Sequence, residues 1–389
     1  MTSLQRMMAA VHGEPFDMYP FINPYPGWSM MPHWPDMLGL TFLHLSHGTD
    51  SERLRCYGAF HDLLGLDWIP IPEGPTGQDK RYRIETEENV PVLVDKIENT
   101  RTRYDEFPKD EPVTECKFTS AQQVESLPSP LTAEEMLKGD SFDITGKLIP
   151  EYGDTVFLMA AHMAPFATCY YTLGFNKLYE AFASDHKLLY AVLERHTEHL
   201  IQRAKALARL GVHGMRINDF FCSAELISEK DYLRFAFPYE QRVIRAMRDE
   251  GLVAILEFLG WVEPRLPHIA RLDVNCLQTE SSLKGYRNDV ATYRKVLGEE
   301  VCIFGNSLIR QVIEQGSEDV WRKDALEQAK GVGRERRYAI CAGSPTTLAT
   351  TPKRLRRFGE FTRNVLDQAV PPRGFHRKRT KPCFNRRTK

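Results

Sequence analysis

The sequence has no long apolar run, no signal peptide and no closely paired cysteines. No stretch approaches the roughly 20 apolar residues that a helix needs to cross a bilayer. The first six residues lack the apolar core of a signal peptide, so we expect a cytoplasmic protein. None of the eight cysteines forms a C-x-x-C pair, which argues against a zinc ribbon and a redox motif. We therefore expect the cysteines to stay reduced, as buried side chains or as single ligands.

The chain also lacks a strong net charge, although its charges are unevenly spread. Its 51 basic and 52 acidic residues give a net charge of −1. Residues 371–389 carry eight Lys or Arg and no acid, and the rest holds 43 basic and 52 acidic residues, a balance of −9. The acidic body argues against a nucleic-acid-binding protein. We expect the basic tail to be disordered, with a contact to nucleic acid or to an acidic partner as the alternative.

Apolar and amphipathic segments alternate regularly after residue 150. Hydrophobic residues make up 42% of the chain, which is enough for a large core. The apolar runs predict strands at 156–161, 214–218, 253–258, 274–277, 301–304 and 338–342. Helical patterns separate them at 176–186, 187–210, 229–250, 262–271, 288–297, 308–313, 317–330 and 352–368. Strands that alternate with helices indicate right-handed βαβ units in a parallel sheet.

This pattern favours an α/β fold built as a closed (β/α)8 TIM barrel over an open sheet. Six strands follow residue 150, and we expect one or two more before it. No G-x-G-x-x-G follows a predicted strand and no Walker A motif occurs, which disfavours a nucleotide-binding fold. We predict a single barrel domain over 1–370, with a lid and decorations in 1–150, regular βα units in 151–370, and the tail at 371–389. Within the decorations, residues 81–118 predict an antiparallel hairpin.

Residues 23–35 are dense in Pro, Trp, Met and Tyr. This composition does not suit a regular helix or a central strand, so it predicts an apolar loop. An apolar loop is costly to leave in water, and we expect it to cover something. We predict a lid or pocket wall in which Trp28 and His33 contact the substrate. A packed structural loop is the alternative.

Polar residues stand where the predicted strands end. In an α/β barrel, catalytic groups project from the carboxyl ends of the strands. That rule selects His162, Asn218 with Asp219, Glu257, Glu280, Asn306, and Cys341 with Ser344. Because an enclosed mouth shifts carboxyl pKa values, Asp219, Glu257 and Glu280 are the candidate catalytic acids or bases. The candidate substrate contacts are His162, Asn218 and Asn306.

Most of these candidates have a purely structural alternative. Asp219 and Glu280 could cap the segments that follow them. Asn306 could pin a turn, and Cys341 fits a small buried residue. Glu257 differs because it lies inside the apolar run 253–260, where a carboxyl group is costly unless it is paired or coordinated.

Several motifs follow one another in a characteristic order. They are Arg-x6-Gly-Glu-Pro-x-Asp-x-x-Pro from Arg6 to Pro20, Gly211-Val-His-Gly-Met-Arg-Ile-Asn-Asp219, Leu226-Ile-Ser-Glu229 with Phe237-Pro238, Val301-Cys-Ile-Phe-Gly-Asn306, Gly316-Ser-Glu-Asp-Val320, and Cys341-Ala-Gly-Ser344 through Thr351-Pro352. Together they resemble the uroporphyrinogen decarboxylase superfamily, which includes the decarboxylase and the cobalamin- and coenzyme M-dependent methyltransferases. The resemblance runs from about residue 150 to 368, and more weakly through the first 25 residues. It implies a (β/α)8 barrel.

The resemblance implies different chemistry for its two branches. Decarboxylases carry an arginine-rich segment near the amino terminus that grips the substrate carboxylates, whereas this chain has Asn23-Pro-Tyr-Pro-Gly-Trp28 there. Methyltransferases hold zinc through an H-x-C pair and a later cysteine. The H-x-C positions are Glu257 and Leu259 here, and Cys341 lies near the later ligand. We predict a methyltransferase-like enzyme for a small methylated substrate, with a corrinoid protein as partner and zinc at Glu257 and Cys341 as the metal site to test.

Two alternatives stay open. The first is a decarboxylase of a tetrapyrrole or a smaller carboxylate, for which Arg216 and Arg310 would supply the cations that a polyanionic substrate needs. The second is a non-catalytic barrel that binds a ligand. In each case we expect a small-molecule ligand and neither nucleic acid nor membrane as partner. The oligomeric state stays open, with a homodimer as one alternative.

Overall fold

The computed structural model describes residues 1–105, 118–282, 285–343 and 346–372. The predicted basic tail lies outside this range from residue 373 onward. Within the described range no helix is long and apolar enough to cross a membrane. The strands are β1 (Phe21–Ile22), β2 (Trp68–Pro70), β3 (Tyr82–Glu87), β4 (Val90–Asp95), β5 (Thr100–Arg103), β6 (Phe157–Met163), β7 (Gly214–Asp219), β8 (Val253–Phe258), β9 (Cys276–Thr279), β10 (Cys302–Phe304) and β11 (Tyr338–Cys341).

Eight of these strands form one parallel sheet. Their order is β1-β11-β10-β9-β8-β7-β6-β2, so β1 and β2 stand at its two ends. The two end strands meet through the Asp67 N–H, which donates to the carbonyl oxygen of Phe21 at 2.8 Å. This contact closes the sheet into a ring. The predicted (β/α)8 barrel is confirmed, and every strand predicted after residue 150 lies within two residues of its predicted bounds.

Helices connect the strands, and the longer ones pack on the outside of the barrel. They are α1 (Ser3–His12), α2 (Pro26–Met30), α3 (Trp34–Leu38), α4 (His44–His47), α5 (Asp50–Asp62), α6 (Gln78–Arg81), α7 (Ala121–Glu125), α8 (Ala133–Lys138), α9 (Asp143–Tyr152), α10 (Pro165–Ala183), α11 (His186–Leu210), α12 (Glu229–Phe235), α13 (Phe237–Asp249), α14 (Leu266–Ile269), α15 (Val290–Leu297), α16 (Glu318–Ala329) and α17 (Pro352–Ala369), with 3-10 turns at Met31–His33 and Glu263–Arg265 and a π-helical turn at Ile309–Glu314. Local sequence sets their ends. The Asp185 carboxylate caps α11 by accepting from the Leu188 N–H at 3.2 Å, and Gly211 ends it in the left-handed conformation.

The structure corrects one predicted loop and two predicted helices. The segment 23–35 is not an irregular loop but three short helical turns, and each has a proline in its first turn, where no N–H partner is lost. The helix predicted at 229–250 is broken at Ala236, next to Phe237–Pro238. The helix predicted from 176 begins at Pro165 and is interrupted at Gly174, whose φ is 72°.

A small antiparallel sheet decorates the barrel between β2 and β6. Strands β3 and β4 pair from Tyr82 with Asp95 to Glu87 with Val90, and β5 adds to β4. The predicted hairpin is therefore confirmed and extended by one strand. Residues 106–117, which follow β5, lie outside the described range.

Large apolar side chains fill the interior of the barrel. Trp68 on β2 and Phe304 on β10 belong to strands that are not neighbours, yet their rings lie 5.8 Å apart, so they meet inside the barrel. Both are fully buried. Phe157 on β6 lies directly against Gly214 of β7, where a Cβ atom would come within 2.7 Å of the ring. The barrel is therefore packed below its mouth, as this architecture requires.

Asp67 holds the seam between β1 and β2 at the amino end of the barrel. Its buried carboxylate accepts hydrogen bonds from Ser3 Oγ at 2.7 Å, Arg6 Nη1 at 2.5 Å, the Phe21 N–H at 2.8 Å and Arg363 Nη2 at 2.6 Å. The donors come from the first helix, the first strand and the last helix of the fold. One carboxylate thus joins the two ends of the described chain to the barrel.

The same network explains the motif from Arg6 to Pro20. Arg6 also donates from Nε to Asp17 Oδ1 at 2.7 Å, so the motif's arginine bridges its own aspartate and the buried Asp67. The motif therefore closes the barrel at the end opposite the mouth.

We expect the change Asp67→Asn to destabilise the fold strongly. It leaves the buried guanidinium group of Arg6 and the partly buried one of Arg363 without their full counter-charge, and breaking a buried ion pair costs about 3–5 kcal/mol. The matched control is Asp50→Asn, which breaks the more exposed pair with Lys147 and should cost about 1 kcal/mol or less. Urea unfolding followed by circular dichroism measures both. Equal midpoints for the two variants would contradict the role given to Asp67.

Candidate active site

A buried polar cluster lies inside the carboxyl-end mouth of the barrel, around Glu257. Glu257 Oε2 accepts a hydrogen bond from the Tyr25 hydroxyl at 2.9 Å and lies 3.2 Å from Arg216 Nη1. Glu257 Oε1 accepts from Gln278 Nε2 at 2.7 Å. Asn218 Nδ2 donates to the Tyr25 hydroxyl oxygen at 2.5 Å. Glu257 is fully buried, so Tyr25, Arg216 and Gln278 are the polar groups that its carboxyl group has in place of water.

Strand register places the cluster. Asn218 on β7 is in register with Glu257 on β8, which is in register with Gln278 on β9. Side chains alternate along a strand, so Arg216 points to the same side as Asn218, one layer deeper. Three adjacent strands therefore present polar side chains to the interior at one level, although their other inward neighbours are apolar.

Tyr25 comes from the segment predicted as a lid. The amide N–H of Tyr25 donates to Asn23 Oδ1 at 3.1 Å, and its carbonyl oxygen accepts from Thr346 Oγ1 at 3.2 Å. The segment is thus fixed over the mouth on both sides of its tyrosine. His33 lies further along it, and its Nε2 is buried without a hydrogen-bond partner. The backbone of Trp28 belongs to α2, but its side chain is outside the described part of the structure, and so is Ser344.

Burial dominates the electrostatics of the cluster. It raises the pKa of Glu257, while the charge of Arg216 and the hydrogen bonds from Tyr25 and Gln278 oppose that rise. Burial, and then the carboxylate of Glu257, also raise the pKa of Tyr25, so its hydroxyl keeps its proton. Glu257 therefore holds its proton to a higher pH than an exposed glutamate.

Three polar atoms of the cluster are buried without a hydrogen-bond partner. They are Arg216 Nε, Asn218 Oδ1 and Gln278 Oε1. An unsatisfied buried polar atom costs about 1–3 kcal/mol, so such atoms are candidates for contacts with a ligand. Ala161 is exposed although it is in register with Arg216, so open space reaches down to that level of the barrel.

Asp219 points away from this cluster. It follows Asn218 on β7, and alternation turns its side chain outward, where it hydrogen-bonds Glu240 of α13. Both carboxyls are fully buried, and Tyr232 donates to Glu240 Oε2 at 2.7 Å. Each carboxyl has one oxygen without a donor, so a proton held between the two satisfies both. Burial raises the pKa of Asp219 to about 6 and raises that of Glu240 well above its ordinary value.

His162 also lies outside the central cluster. Its Nε2 accepts from Arg203 Nε at 3.0 Å and is 3.3 Å from Glu73 Oε1. Glu73 forms an ion pair with Arg203 as well. Burial, and then the charge of Arg216, lower the pKa of His162 to about 4, so the imidazole is neutral at pH 7 and accepts the arginine proton. This group ties β6 to the helix behind it.

Glu280 and Asn306 organise the rim. Glu280 Oε2 accepts from the Gly260 N–H and from the Tyr286 hydroxyl, both at 2.9 Å. Asn306 Nδ2 donates to the carbonyl oxygen of Asn288 at 2.9 Å. Of the residues predicted from the sequence, the structure therefore brings Glu257 and Asn218 together and places Asp219, His162, Glu280 and Asn306 around them.

The residues present do not fit a zinc ion. Zinc takes four ligands, and its cysteine ligands are thiolates. Cys341 is buried, and its Sγ donates to the carbonyl oxygen of Ala342 at 3.2 Å. Glu257 already accepts hydrogen bonds from Tyr25 and Gln278 and lies 3.2 Å from Arg216. Among the described residues no group of three or more His, Cys, Asp or Glu could hold a metal.

Sequence reasoning missed Tyr25 and Gln278 as site residues and saw Arg216 only as a cation for the decarboxylase alternative. The strand rule selects the last residue of each strand, which overlooks Arg216 two positions earlier. Gln278 was available, because it lies one position beyond a predicted strand and two before Glu280. Nothing in the sequence distinguished Tyr25 from the other aromatic residues of segment 23–35.

Comparison with protein families gives one match over most of the chain. A family model described as uroporphyrinogen decarboxylase (URO-D) matches residues 103–365. This range contains β6 to β11 and each cluster residue except Tyr25.

Curated relatives include both branches named above. The uroporphyrinogen decarboxylase of Chlorobium phaeobacteroides is 27% identical over 164 residues, which are 42% of this chain and 43% of that protein. The methylcobamide:CoM methyltransferase MtbA of Methanosarcina mazei is 24% identical over 34% of this chain and 39% of its own length. A methylated-thiol–coenzyme M methyltransferase of the same organism is 22% identical over 40% of both proteins. The chain thus matches less than half the length of each of these relatives.

A solved structure shares the whole architecture. It is a methyltransferase from Methanosarcina mazei with a TM-score of 0.67 and 18% sequence identity, and the match covers 93% of this chain and 98% of that one. At this identity the likeness shows the fold alone.

The Asp219–Glu240 pair predicts that stability falls as the pH rises. In the folded state the two carboxyl groups keep protons that the unfolded chain releases above the ordinary carboxyl pKa. Each group therefore lowers the free energy of unfolding by about 1.4 kcal/mol per pH unit, until the pH passes its folded-state pKa. For Asp219 this window ends at about pH 6, and for Glu240 it extends higher. The change Glu240→Gln removes one titrating group and supplies an amide donor to Asp219. We expect urea unfolding from pH 5 to 8 to show a shallower loss of stability in this variant, whereas an unchanged slope would contradict the shared proton.

Proposed function

The chain belongs to the uroporphyrinogen decarboxylase family, and from this membership we propose that it is a methyltransferase-like enzyme that demethylates a small substrate at the barrel mouth. The observation that carries the proposal is Glu257, a fully buried carboxyl group at the barrel mouth that lies among Tyr25, Gln278 and Arg216 and whose pKa is raised by burial. A demethylation breaks the bond between the methyl carbon and a heteroatom, and that heteroatom needs a proton as it leaves. Glu257 is the group placed to give it.

The cluster residues have separate roles in this step. Glu257 donates its proton to the leaving heteroatom, and the electron pair of the broken bond stays on that atom. Arg216, at 3.2 Å, then stabilises the carboxylate that forms, together with the hydrogen bonds from Tyr25 and Gln278. Asn218 orients the Tyr25 hydroxyl by donating to its oxygen. The free oxygen atoms of Asn218 and Gln278 remain as acceptors for the substrate.

The methyl group needs a nucleophilic acceptor from outside the chain. We propose a reduced corrinoid carried by a partner protein, by analogy with the relative named methylcobamide:CoM methyltransferase. The open space beside Ala161 gives an acceptor access to the level of the cluster.

The decarboxylase alternative receives less support from the site. A tetrapyrrole with several carboxylates needs unpaired cations to bind it. Arg203 is paired with Glu73 and Arg310 is exposed on the helical turn after β10, so of these three arginines Arg216 alone lies in the cluster, beside Glu257. One cation does not match several carboxylates. Because one relative, 27% identical, is a uroporphyrinogen decarboxylase, decarboxylation of uroporphyrinogen should be assayed alongside methyl transfer.

Activity should depend on protonated Glu257, and its pH profile should respond to Tyr25. We expect the change Glu257→Gln to lower kcat by about 10²–10⁴-fold, as for loss of a general acid. In the unaltered protein kcat should fall as the pH rises through the pKa of Glu257. The Tyr25 hydroxyl stabilises the carboxylate, so Tyr25→Phe should raise this pKa further and move the alkaline limb to higher pH. Methyl transfer from a panel of methylated amines, thiols and ethers to cob(I)alamin measures these rates.

The matched control is Tyr286→Phe, which removes a tyrosine–carboxylate hydrogen bond of equal length at the rim. It should leave the alkaline limb where it is. An alkaline limb that does not move in Tyr25→Phe would show that Glu257 is not the titrating acid. Release of carbon dioxide from uroporphyrinogen, without methyl transfer from any donor, would replace the proposed function by decarboxylation.

A further inference from the structure

We propose a second binding site, for a compound that carries a diphosphate or triphosphate group, in an arginine-lined groove on the outside of the barrel. The groove lies between α13 and the turn that leads into β9, and its volume is about 480 Å³. None of the residues of the Glu257 cluster lines it. The inference therefore goes beyond the proposed function and does not depend on the reaction at the mouth.

The groove lies at the amino end of the barrel, opposite the mouth. One wall is α13, whose last residue, Asp249, comes shortly before the start of β8. The other wall is formed by residues 271–273, shortly before the start of β9. Segments that lead directly into parallel strands lie at the amino ends of those strands. A ligand in the groove is therefore separated from the mouth by the packed interior of the barrel.

Four arginines line the groove. Arg242, Arg245 and Arg248 are spaced three residues apart, so they follow one another along one side of α13. Arg271 belongs to the wall that precedes β9. Two elements thus bring four guanidinium groups to one place. Their positive charges repel one another, and an anion bound between them relieves that repulsion.

The two aspartates of the groove do not satisfy its arginines. Arg245 Nε is 3.8 Å from Asp249 Oδ2, and Arg248 Nη2 is 3.7 Å from Asp273 Oδ2, and both distances are too long for a hydrogen bond. Within the described part of the chain, neither guanidinium group donates a hydrogen bond. The lining holds four positive and two negative charges, a balance of +2, so it complements a ligand with two or more negative charges.

Aromatic rings hold the other two arginines in place. The guanidinium group of Arg271 lies over the Phe237 ring, 5.2 Å from its centroid, and that of Arg242 lies over the Tyr239 ring at 5.9 Å. Arg242 also forms an ion pair with Glu194 through Nη1 at 2.6 Å. A stacked guanidinium group keeps N–H donors in its plane, so a ligand meets cations that are already partly oriented.

The lining favours linked phosphate groups in a compact ligand. Guanidinium groups bind phosphate through two parallel hydrogen bonds. Among the described residues that line the groove, Leu272 alone is apolar, and it is buried, so no wall is present for a hydrophobic body. Single-stranded nucleic acid needs exposed rings on which its bases stack, whereas Phe237 and Tyr239 are buried beneath arginines. A short chain of phosphates concentrates its charge in a small volume and needs no such rings.

A role in stabilising the helix explains only one of these arginines. Arg248 lies in the last turn of α13, where a cation interacts favourably with the helix dipole. That effect falls off within the last turn, so it does not account for Arg242 or Arg245. Arg271 is not part of the helix.

Isothermal titration calorimetry on the full-length protein tests the site. The probes are inorganic tripolyphosphate, orthophosphate, citrate and ATP, each without added metal. We expect tripolyphosphate to bind about tenfold more tightly than orthophosphate or citrate, and added salt to weaken its binding, because the contacts are between charges. ATP distinguishes a nucleotide from free polyphosphate. It should bind about as tightly as tripolyphosphate, because the lining offers the base no ring on which to stack.

Substitution locates the site. The changes Arg245→Gln and Arg248→Gln each remove one cation from the groove, and each should raise the Kd of tripolyphosphate about tenfold. The matched control is Arg356→Gln on α17, which removes a cation whose partner, Glu360, also lies four residues further along its helix. The control should leave the Kd unchanged. Circular dichroism checks that all three variants fold.

Three results would overturn the proposal. If orthophosphate or citrate binds as tightly as tripolyphosphate, the groove does not select linked phosphates. If ATP binds more than about tenfold more tightly than tripolyphosphate, the base is recognised and charge alone does not define the ligand. If no probe binds, or if the control raises the Kd as much as the groove variants do, the groove is not a site for phosphates. None of these results bears on methyl transfer at the mouth.

Discussion

The burial of one carboxyl group, Glu257, is the constraint on which the site depends. A carboxyl group inside an apolar barrel is costly unless other groups replace the water it has lost. The structure meets this cost with Arg216, Tyr25 and Gln278, which together occupy both carboxyl oxygens. These partners come from the lid segment, β7 and β9. Because Glu257 needs all three to offset its burial, it fixes how these parts of the chain meet at the mouth.

The first strand is held at both ends by carboxyl groups. At the amino end of the barrel Asp67 accepts from the Phe21 N–H, and at the mouth Glu257 accepts from Tyr25, four residues later. The strand itself has two residues, which pair with β11 on one side and accept the Asp67 N–H on the other. Its place in the ring therefore depends on side chains as much as on backbone pairing, which links the closure of the barrel to the geometry of the site.

The sequence predicted the barrel well because hydrophobic periodicity reports which residues are buried. The same reasoning located Glu257, since a charged residue inside an apolar run is conspicuous. It could not place Asp219, whose position at a strand end resembles that of a catalytic residue. Only the alternation along β7 turns it outward to Glu240, a contact across elements that local pattern does not reveal. Tyr25 needed the same tertiary information, because its role depends on where the lid segment crosses the mouth.

The central claim is that Glu257 holds its proton to a higher pH than an ordinary glutamate. Infrared difference spectroscopy can follow the protonated carboxyl of this residue directly, as the pH-dependent band that the unaltered protein shows and the Glu257→Gln variant lacks. The account predicts that this band persists above the pH at which exposed glutamates ionise, because burial outweighs the opposing interactions. A band lost at or below the ordinary glutamate pKa would contradict it.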